Sequence, residues 1–579
     1  MTNNKNKSKQ IQLVSSSALR LTALALCVAA AGQVGAFEID TGNEDLQLRF
    51  DNTIRYNLGM RVEDQDDAII KAPNSNDGDR NFKKDSIINN RVDILTESDF
   101  VYKGKYGARV SAALWYDDAY EGDLDNKDVA TSNHLENGQR ALGLSNYAKR
   151  YYRGPSGEFM DAFVFGSFDL GDMPLNVRAG RHTVNWGESL LGSGAIHGIS
   201  YGQAPLDQGK ALALPGIEAK ELYLPRTQLS AQLQMTPELS VAAQYFLEWR
   251  PSRVPEAGTY LGFADVYLQG GEAQINAAGT AVAGRHGEDI EPDDRGDWGV
   301  MARWRPEWLD GTLGFYMRNF SDTMPQVVGN ALGAPAIKYH FNYADDIDMY
   351  GISLSKEIGG LSVGADLNYR RNMPLVSSAA NVTRAAPGTA RALPDDGDIL
   401  GARGDTLHGV LNAIGSLSPS PFYDGASWAA EVTYSRWLSV NEDPLNLFKG
   451  RKSYAANPLN IDAVTRSAYG AAVNFTPVWY QVFPGGDLSL PMSYARGLNG
   501  NSAVAVGGNE DAGSYAVGIG LDLYTRYRFD LKYVDYFGNY SKSVGGAGQP
   551  PAGAMRTPSG SQAALEDRGA VFFTFKTTL

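Results

Sequence analysis

The chain has 579 residues, with 66 Asp and Glu against 52 Lys and Arg, for a net charge of −14. That balance excludes nucleic acid as a partner, because phosphate binding needs clustered basic surface. At 43% hydrophobic the chain is too apolar to stay unfolded, and 64 Gly beside 30 Tyr, 22 Phe and 9 Trp favour β-structure with many turns.

The first element is a targeting device. Lys5, Lys7, Lys9 and Arg20 precede a run from Leu21 to Ala31 that is apolar except for Thr22, and Val34-Gly35-Ala36 then supplies small residues. The run is too short to span a bilayer as a helix, so residues 1–36 read as a cleavable signal peptide and 37–579 as one domain. Cys27, the only cysteine, lies inside this segment behind Leu26, where a lipoprotein signal would want a small residue. The exported chain is therefore expected to hold no disulfide and no cysteine-bound metal. No later stretch reaches the ~18 apolar residues of a membrane helix, which leaves a soluble exported protein or a membrane β-barrel.

Periodicity decides between them. From Leu46 to Val62 the even positions read Leu, Leu, Phe, Asn, Ile, Tyr, Leu, Met, Val, and the odd ones are polar or Gly. Only a period of two fits, and the segment exceeds the ~9–11 residues a strand needs to cross a bilayer. The alternation returns at 106–114, 229–235, 239–249, 361–369, 515–523 and 529–537. Short links at 103–105, 171–174, 236–238, 306–310, 357–360 and 525–526 alternate with long ones at 117–158, 187–227, 250–297, 321–347 and 371–404. A sandwich buries its apolar face in protein and has no reason to send every second loop so far. The pattern predicts an all-β, transmembrane antiparallel barrel with short periplasmic turns and long external loops. Parity requires an even number of strands. Eighteen is expected, with Val478–Tyr494 read as one weak strand, and sixteen is the alternative. The last strand, Gly569 to Leu579, sets Val571, Phe573, Phe575 and Leu579 on one face. Tyr102, Tyr106, Trp298 and Trp304 stand where strands meet turns, the headgroup level for aromatic rings.

If apolar faces meet lipid, the polar faces line the lumen. They carry Arg49, Asp51, Arg55 and Arg61, then Arg91, Asp93, Glu97 and Asp99, then Arg109, Asp366 and Arg370. Mixed signs on neighbouring strands suggest ion-pair ladders bracing the wall, or a pathway selective for charged solutes. The densest local signal runs Val177-Arg178-Ala179-Gly180-Arg181-His182-Thr183-Val184-Asn185-Trp186-Gly187-Glu188, followed by Leu214-Pro215-Gly216-Ile217-Glu218 and Lys220-Glu221-Leu222-Tyr223-Leu224-Pro225. Here the chain resembles the proteobacterial domain-of-unknown-function 1302 family, in its G-R-x-x-x-x-W-G-E element and its P-G-x-E-x-K-E stretch. The likeness extends through Gln244–Pro251, Tyr369–Leu375 and Tyr480–Tyr494. The resemblance implies an outer-membrane barrel that handles hydrophobic or aromatic nutrients, and it supplies no catalytic residues.

Loop 187–227 holds Leu190, Leu191, Ile196, Ile199, Leu206, Leu212, Leu214 and Ile217, too apolar to face water. It is expected either to fold into the lumen as a constriction or to pack on neighbouring loops. The constriction candidates are Arg178, Arg181, His182, Trp186, Glu188, Asp207, Lys210 and Glu218, with Glu188 expected to pin the loop by pairing with a wall arginine.

Enzyme signals are weak. There is no G-x-S-x-G or H-E-x-x-H, and the six His, at 134, 182, 197, 286, 340 and 408, have no metal-ligand spacing. His182 and Ser189 are too loosely related to form a motif. The acidic run Asp117, Asp118, Glu121, Asp123, Asp125, Asp128 lacks calcium-loop spacing and reads as a solvated loop. The expected function is a Gram-negative outer-membrane channel for passive uptake of small organic molecules, hydrophobic or aromatic, without cofactor or enzymatic activity. A barrel hydrolase of lipids or esters and an adhesive surface barrel are the alternatives. Expected partners are outer-membrane lipid and lipopolysaccharide, the barrel-assembly machinery during biogenesis, and the small-molecule cargo.

Overall fold

The computed structural model describes residues 37–579 apart from 123, 268, 333–336 and 384–387. The expected signal peptide, residues 1–36, lies outside the described residues, as does Asp123 of the acidic run.

Alternating side chains become a closed antiparallel barrel of eighteen wall strands. In chain order they are β1 (Leu46–Arg61), β2 (Ile87–Tyr102), β3 (Tyr106–Asp117), β4 (Ser156–Leu170), β5 (Met173–His182) and β6 (Arg226–Gln234). Next come β7 (Leu239–Phe246), β8 (Trp298–Trp304), β9 (Gly311–Phe320), β10 (Ile347–Ile358), β11 (Leu361–Pro374) and β12 (Arg403–Leu417). The last are β13 (Gly425–Glu442), β14 (Ser467–Phe483), β15 (Gly486–Ser489 continued by Met492–Asn499), β16 (Gly513–Leu523), β17 (Tyr527–Phe537) and β18 (Ala570–Thr578). Each strand pairs with its sequence neighbours, and β18 pairs back onto β1 from Thr53↔Thr578 to Arg61↔Ala570. Beyond that point Leu579 exchanges backbone hydrogen bonds with Asn52, and Phe37–Ile39 pairs with Leu48–Phe50. Phe37–Ile39 and Leu579 thus both lie beside β1. Closure leaves no unpaired edge, which is the condition for placing strands in hydrocarbon.

The barrel turns an ordinary core inside out. Val164, Leu229, Ile352, Leu367, Leu411, Val432, Ile519 and Leu531 are exposed on the outer face. The largest fully buried side chains include Arg55, Arg61, Arg226, Arg318, Arg370 and Arg568. Exposed aromatic rings sit at the short-turn rim, as with Tyr102, Tyr106, Trp304, Trp308 and Phe422, where headgroups accommodate an amphipathic ring.

Two sequence expectations move. Val478–Tyr494 is not one strand: Val478–Phe483 ends β14, the chain turns at Pro484-Gly485, and β15 returns from Gly486. Gly485 has φ +79°, and Pro491 breaks β15 where a backbone donor is lost. The count stays at eighteen. The alternation read through Trp249 also stops at Phe246, and Trp249 is buried among Tyr339, Phe341 and Tyr343 in the loops.

Those loops build a cap over the long-loop rim. A five-stranded sheet combines Ala273–Ile275, Val282–His286, Ile337–Asn342, Gln326–Asn330 and Ala380–Val382, so three separate loops share one set of hydrogen bonds.

Candidate functional site

The loop between β5 and β6 packs against side chains of distant wall strands. Gly187 adopts φ +88°, and a Cβ there would lie 2.6 Å from the Asp366 carboxylate and 2.9 Å from Ile199, so glycine permits the close approach. The loop then forms three short helices: α1 (Gly192–His197), α2 (Gln208–Ala213) and α3 (Ala219–Leu222).

Its first part is held through its backbone. Asp366 accepts from the amides of Glu188 (2.9 Å) and Ile199 (3.1 Å), and Glu431 accepts from Leu190 (2.7 Å) and Leu191 (3.2 Å). Arg370 donates to the carbonyls of Ile196 (2.9 Å) and Gly198 (3.0 Å), and Arg318 to those of Ile199 (2.8 Å) and Tyr201 (2.6 Å). Wall charges thus satisfy peptide groups that a buried loop would otherwise leave unpaired. His197 Nε2 donates to the Gly507 carbonyl at 2.8 Å, so its Nδ1 accepts from His408 Nδ1 at 2.9 Å. Trp186, Ile196, Ile199 and Tyr201 pack with Met301, Tyr316, Phe320, Ile347 and Met349 into a buried cluster.

The last part is held by charges on other strands. Glu221 pairs with Arg55 of β1, Lys220 with Glu97 of β2 at 2.5 Å, and Glu218 with Lys576 of β18. Burial opposes the Glu218 charge, but Lys576 and Lys220 outweigh it and hold the carboxyl below its ordinary range. The first anchors lie on β9 and β11–β13, the last on β18, β1 and β2, about half the ring away.

Between the anchors, Asp207 caps α2 through the Lys210 amide (2.9 Å) and pairs with Arg253 (3.1 Å). Glu158 of β4 meets Lys210 (3.2 Å) and Arg253 (2.7 Å). The Lys210 ammonium sits 4.9 Å from the Trp115 ring, and the Arg253 guanidinium 4.2 Å from that of Tyr151. Asp207, Lys210, Arg253 and Tyr151 border a small cavity of about 30 Å³, lined also by Tyr147, Tyr152, Asn89 and Arg91.

The remaining predicted residues distribute as follows. Arg91 grips Asp93 (2.8 Å), and Arg109 meets Glu97, Asp99 (3.0 Å) and Asp161 (3.4 Å), so these form bracing ladders. Arg61 joins Asp79 (2.5 Å) and Asp567 (3.1 Å) at the long-loop rim. Asp51 is half-buried, and Arg49 is exposed near the short-turn rim. Arg178 is exposed, with its guanidinium 5.7 Å from the Phe163 ring. Arg181 has the outward parity of Val177 and Ala179 and pairs with Glu248 (2.6 Å), so it is separated from the loop anchors.

Glu188 departs from expectation. Among the described residues it forms no arginine pair; its carboxylate accepts from Ser353 at 3.4 Å, and burial, opposed by Arg303 and the serines, raises its pKa. Backbone amides, not the Glu188 side chain, anchor this segment to Asp366 and Glu431. Glu431, Arg318 and Asn412, whose amide donates to the Glu188 carbonyl at 2.5 Å, were not legible in the sequence because lone polar residues on alternating strands carry no local signal. His182 and Ser189 do not meet. His182 Nδ1 donates to the Gly180 carbonyl (3.0 Å) and Nε2 accepts from Ser230 (2.7 Å), while Ser189 meets Ser200. In the acidic run, Asp117 and Asp128 cap short turns, Asp125 accepts from Lys83 and Ser86, and Glu121 pairs with Arg153.

The family described as "Protein of unknown function (DUF1302)" matches residues 17–579. No curated protein matches the chain. Among solved structures, OccAB4 of Acinetobacter baumannii aligns at 8% identity and TM-score 0.40, covering 92% of this chain and 98% of that one. OpdK of Pseudomonas aeruginosa, solved with vanillate, aligns at 10% identity and TM-score 0.37 with the same coverages. The outer membrane channel DcaP of A. baumannii aligns at 10% and 0.35, covering 94% and 100%.

Proposed function

The chain belongs to the DUF1302 family, and from that premise we propose that it is a passive outer-membrane channel for small organic molecules, with loop 187–227 as its constriction. The observation that carries this reading is the bonding of one loop to opposite walls of a closed barrel. A purely structural barrel gains nothing from threading a chain across its own bore, whereas a selective channel needs a narrow point. An apolar or aromatic cargo is the finer part of this reading, and what supports it is that Tyr147 and Tyr151 set rings beside side chains whose charges are already paired. The outer band faces lipid and lipopolysaccharide, and the barrel-assembly machinery inserts the chain. No catalytic step is assigned, since both His182 nitrogens are engaged within the wall.

Single-channel conductance in planar bilayers tests the assignment. Deletion of residues 190–214, checked for folding by its migration on unheated gels, is expected to conduct more than wild type. A folded deletion variant that conducts no more would show that the loop does not occlude the pore.

A further inference from the structure

Two histidines distant in sequence meet inside the protein. His197 closes α1 of loop 187–227, and His408 stands on β12; they are 2% and 0% exposed. Their Nδ1 atoms lie 2.9 Å apart, and their rings stack at 23° with centroids 5.2 Å apart. His197 Nε2 reaches the Gly507 carbonyl (2.8 Å) in the β15–β16 loop, and His408 Nε2 the Thr406 hydroxyl (2.9 Å). The pair therefore ties α1 to the wall and to a second loop at once.

Chemistry fixes where the protons sit. A carbonyl only accepts, so His197 Nε2 holds its proton, and in the neutral ring Nδ1 is then a bare acceptor. His408 donates to it from Nδ1, which leaves His408 Nε2 to accept from Thr406. All four ring nitrogens are satisfied with both rings neutral. One added proton forces His408 into its other tautomer and buries a cation. A second sets two N–H groups against each other across 2.9 Å.

The surroundings oppose that cation. From β11, Arg370 donates to the Ile196 and Gly198 carbonyls on either side of His197, and Asn368 donates to the His197 carbonyl (2.8 Å). From β13, Ser435 stands opposite His408 in register and meets Ser502 of the β15–β16 loop (3.2 Å). Among the described residues neither ring meets a carboxylate. Asp366 and Glu431 accept from loop amides, and Asp322, in the β9–β10 loop, accepts from Tyr201 (2.5 Å). The Arg370 charge acts on both rings, and it is repulsive. Burial, aided by Arg370 and opposed by the Gly507 carbonyl, holds His197 down to about 4 from an ordinary 6.5.

We propose that His197 and His408 are positioning residues that clamp α1 while both are neutral and release it in acid. The consequence for conduction rests on the reading of loop 187–227 as the constriction. Above the ordinary value of 6.5 the clamped and the released ring are both neutral, and the clamp is at full strength. Below it the released ring takes a proton that the clamped ring refuses, so clamping is lost as pH falls toward about 4. For His197 alone, the ratio of clamped to released loop drops on the order of 50- to 100-fold between about pH 7.5 and about pH 4.5.

Two measurements on the whole barrel test this. NMR of the detergent-folded protein with isotope-labelled histidine reads each ring nitrogen, and His197→Gln and His408→Gln assign the signals. At about pH 7 His197 is expected to carry its proton on Nε2 and His408 on Nδ1, with His197 still neutral at about pH 5.5. An Nε2 proton on His408, or a His197 that charges at its ordinary value, overturns the proposal whether or not the barrel conducts. A paired but non-conducting barrel supports the clamp and refutes the constriction instead. In planar bilayers, wild-type conductance is expected to rise between about pH 7.5 and about pH 4.5, and His197→Gln to lose at least about tenfold of that response. Glutamine offers a donor and an acceptor there but cannot be charged; His408→Gln replaces it if the first variant fails to fold. A full acid response in the folded variant assigns it to Asp366 and Glu431 and overturns the clamp, as does wild-type conductance that ignores pH.

Discussion

At the scale of single residues, the loop is held by side chains that accept from or donate to its backbone. Asp366 satisfies two amides, so Asp366→Ala leaves the Glu188 and Ile199 N–H groups without their acceptor, at about 1–3 kcal/mol each. Larger and noisier single-channel conductance is expected for Asp366→Ala, with a much smaller change for Glu188→Gln, whose side chain makes no ion pair among the described residues. The reverse ranking would return the anchoring role to Glu188. Glu256, in the β7–β8 loop, gives a pH dependence. Burial pushes its carboxyl up to about 8, against the Gly270 amide that donates to it at 2.6 Å. Below the ordinary value of 4.5 both states hold the proton. Above it the unfolded chain ionises first, so stability falls as pH rises toward 8 and stays lost beyond. Glu256→Gln keeps the acceptor and removes the charge. Its unfolding free energy should match wild type at about pH 4 and exceed it at about pH 8.5, by on the order of a few kcal/mol. A gap that does not widen with pH would contradict the burial argument. Sequence alone named Asp366 and Arg370 by their parity, but not which peptide groups they hold, because those partners lie more than 160 residues away.

At the scale of elements, the two faces of a strand meet different solvents. Leu229 and Val164 are exposed on the outer face, while Gln232 lies on the inner face of the strand that carries Leu229. Arg at Leu229 or Val164 should cost about 2–4 kcal/mol near the bilayer midplane, and Arg at Gln232 much less. Unfolding in lipid vesicles by guanidinium measures both, and equal costs would contradict a lipid-facing band. Ser111 is a poor inner-face control, because its hydroxyl is buried and accepts from the Asp161 amide at 2.9 Å. The strands that alternate cleanly, such as β1 and β11, were legible because a half-buried strand needs only period two. The β14–β15 hairpin was not, because Pro484 and Pro491 suppress the alternation on both sides of the turn.

At the scale of the whole molecule, an even strand count puts the start of β1, the end of β18 and all short turns on one rim. An epitope inserted after Gly388, which is exposed with open space around it, should be labelled on intact cells. One inserted after Gly104, in a short turn, should be labelled only after permeabilisation; labelling at Gly104 on intact cells would invert the barrel. Residues 76–79 look like an equally polar loop in sequence, yet Asn76, Asp77 and Asp79 are buried, so an insertion there should disrupt the cap. The amino-acid sequence by itself determined the barrel, the evenness of its strand count and the alternation of short and long connections, since each follows from local period and parity, while the choice of eighteen over sixteen came from the structure. It also marked the loop after Trp186 as too apolar for water. Only the tertiary structure decided where that loop goes, which wall charges hold it, and which loops share a cap. Those outcomes depend on ring closure, which brings β11 and β1 to face each other across a bore that the chain between them does not encode locally.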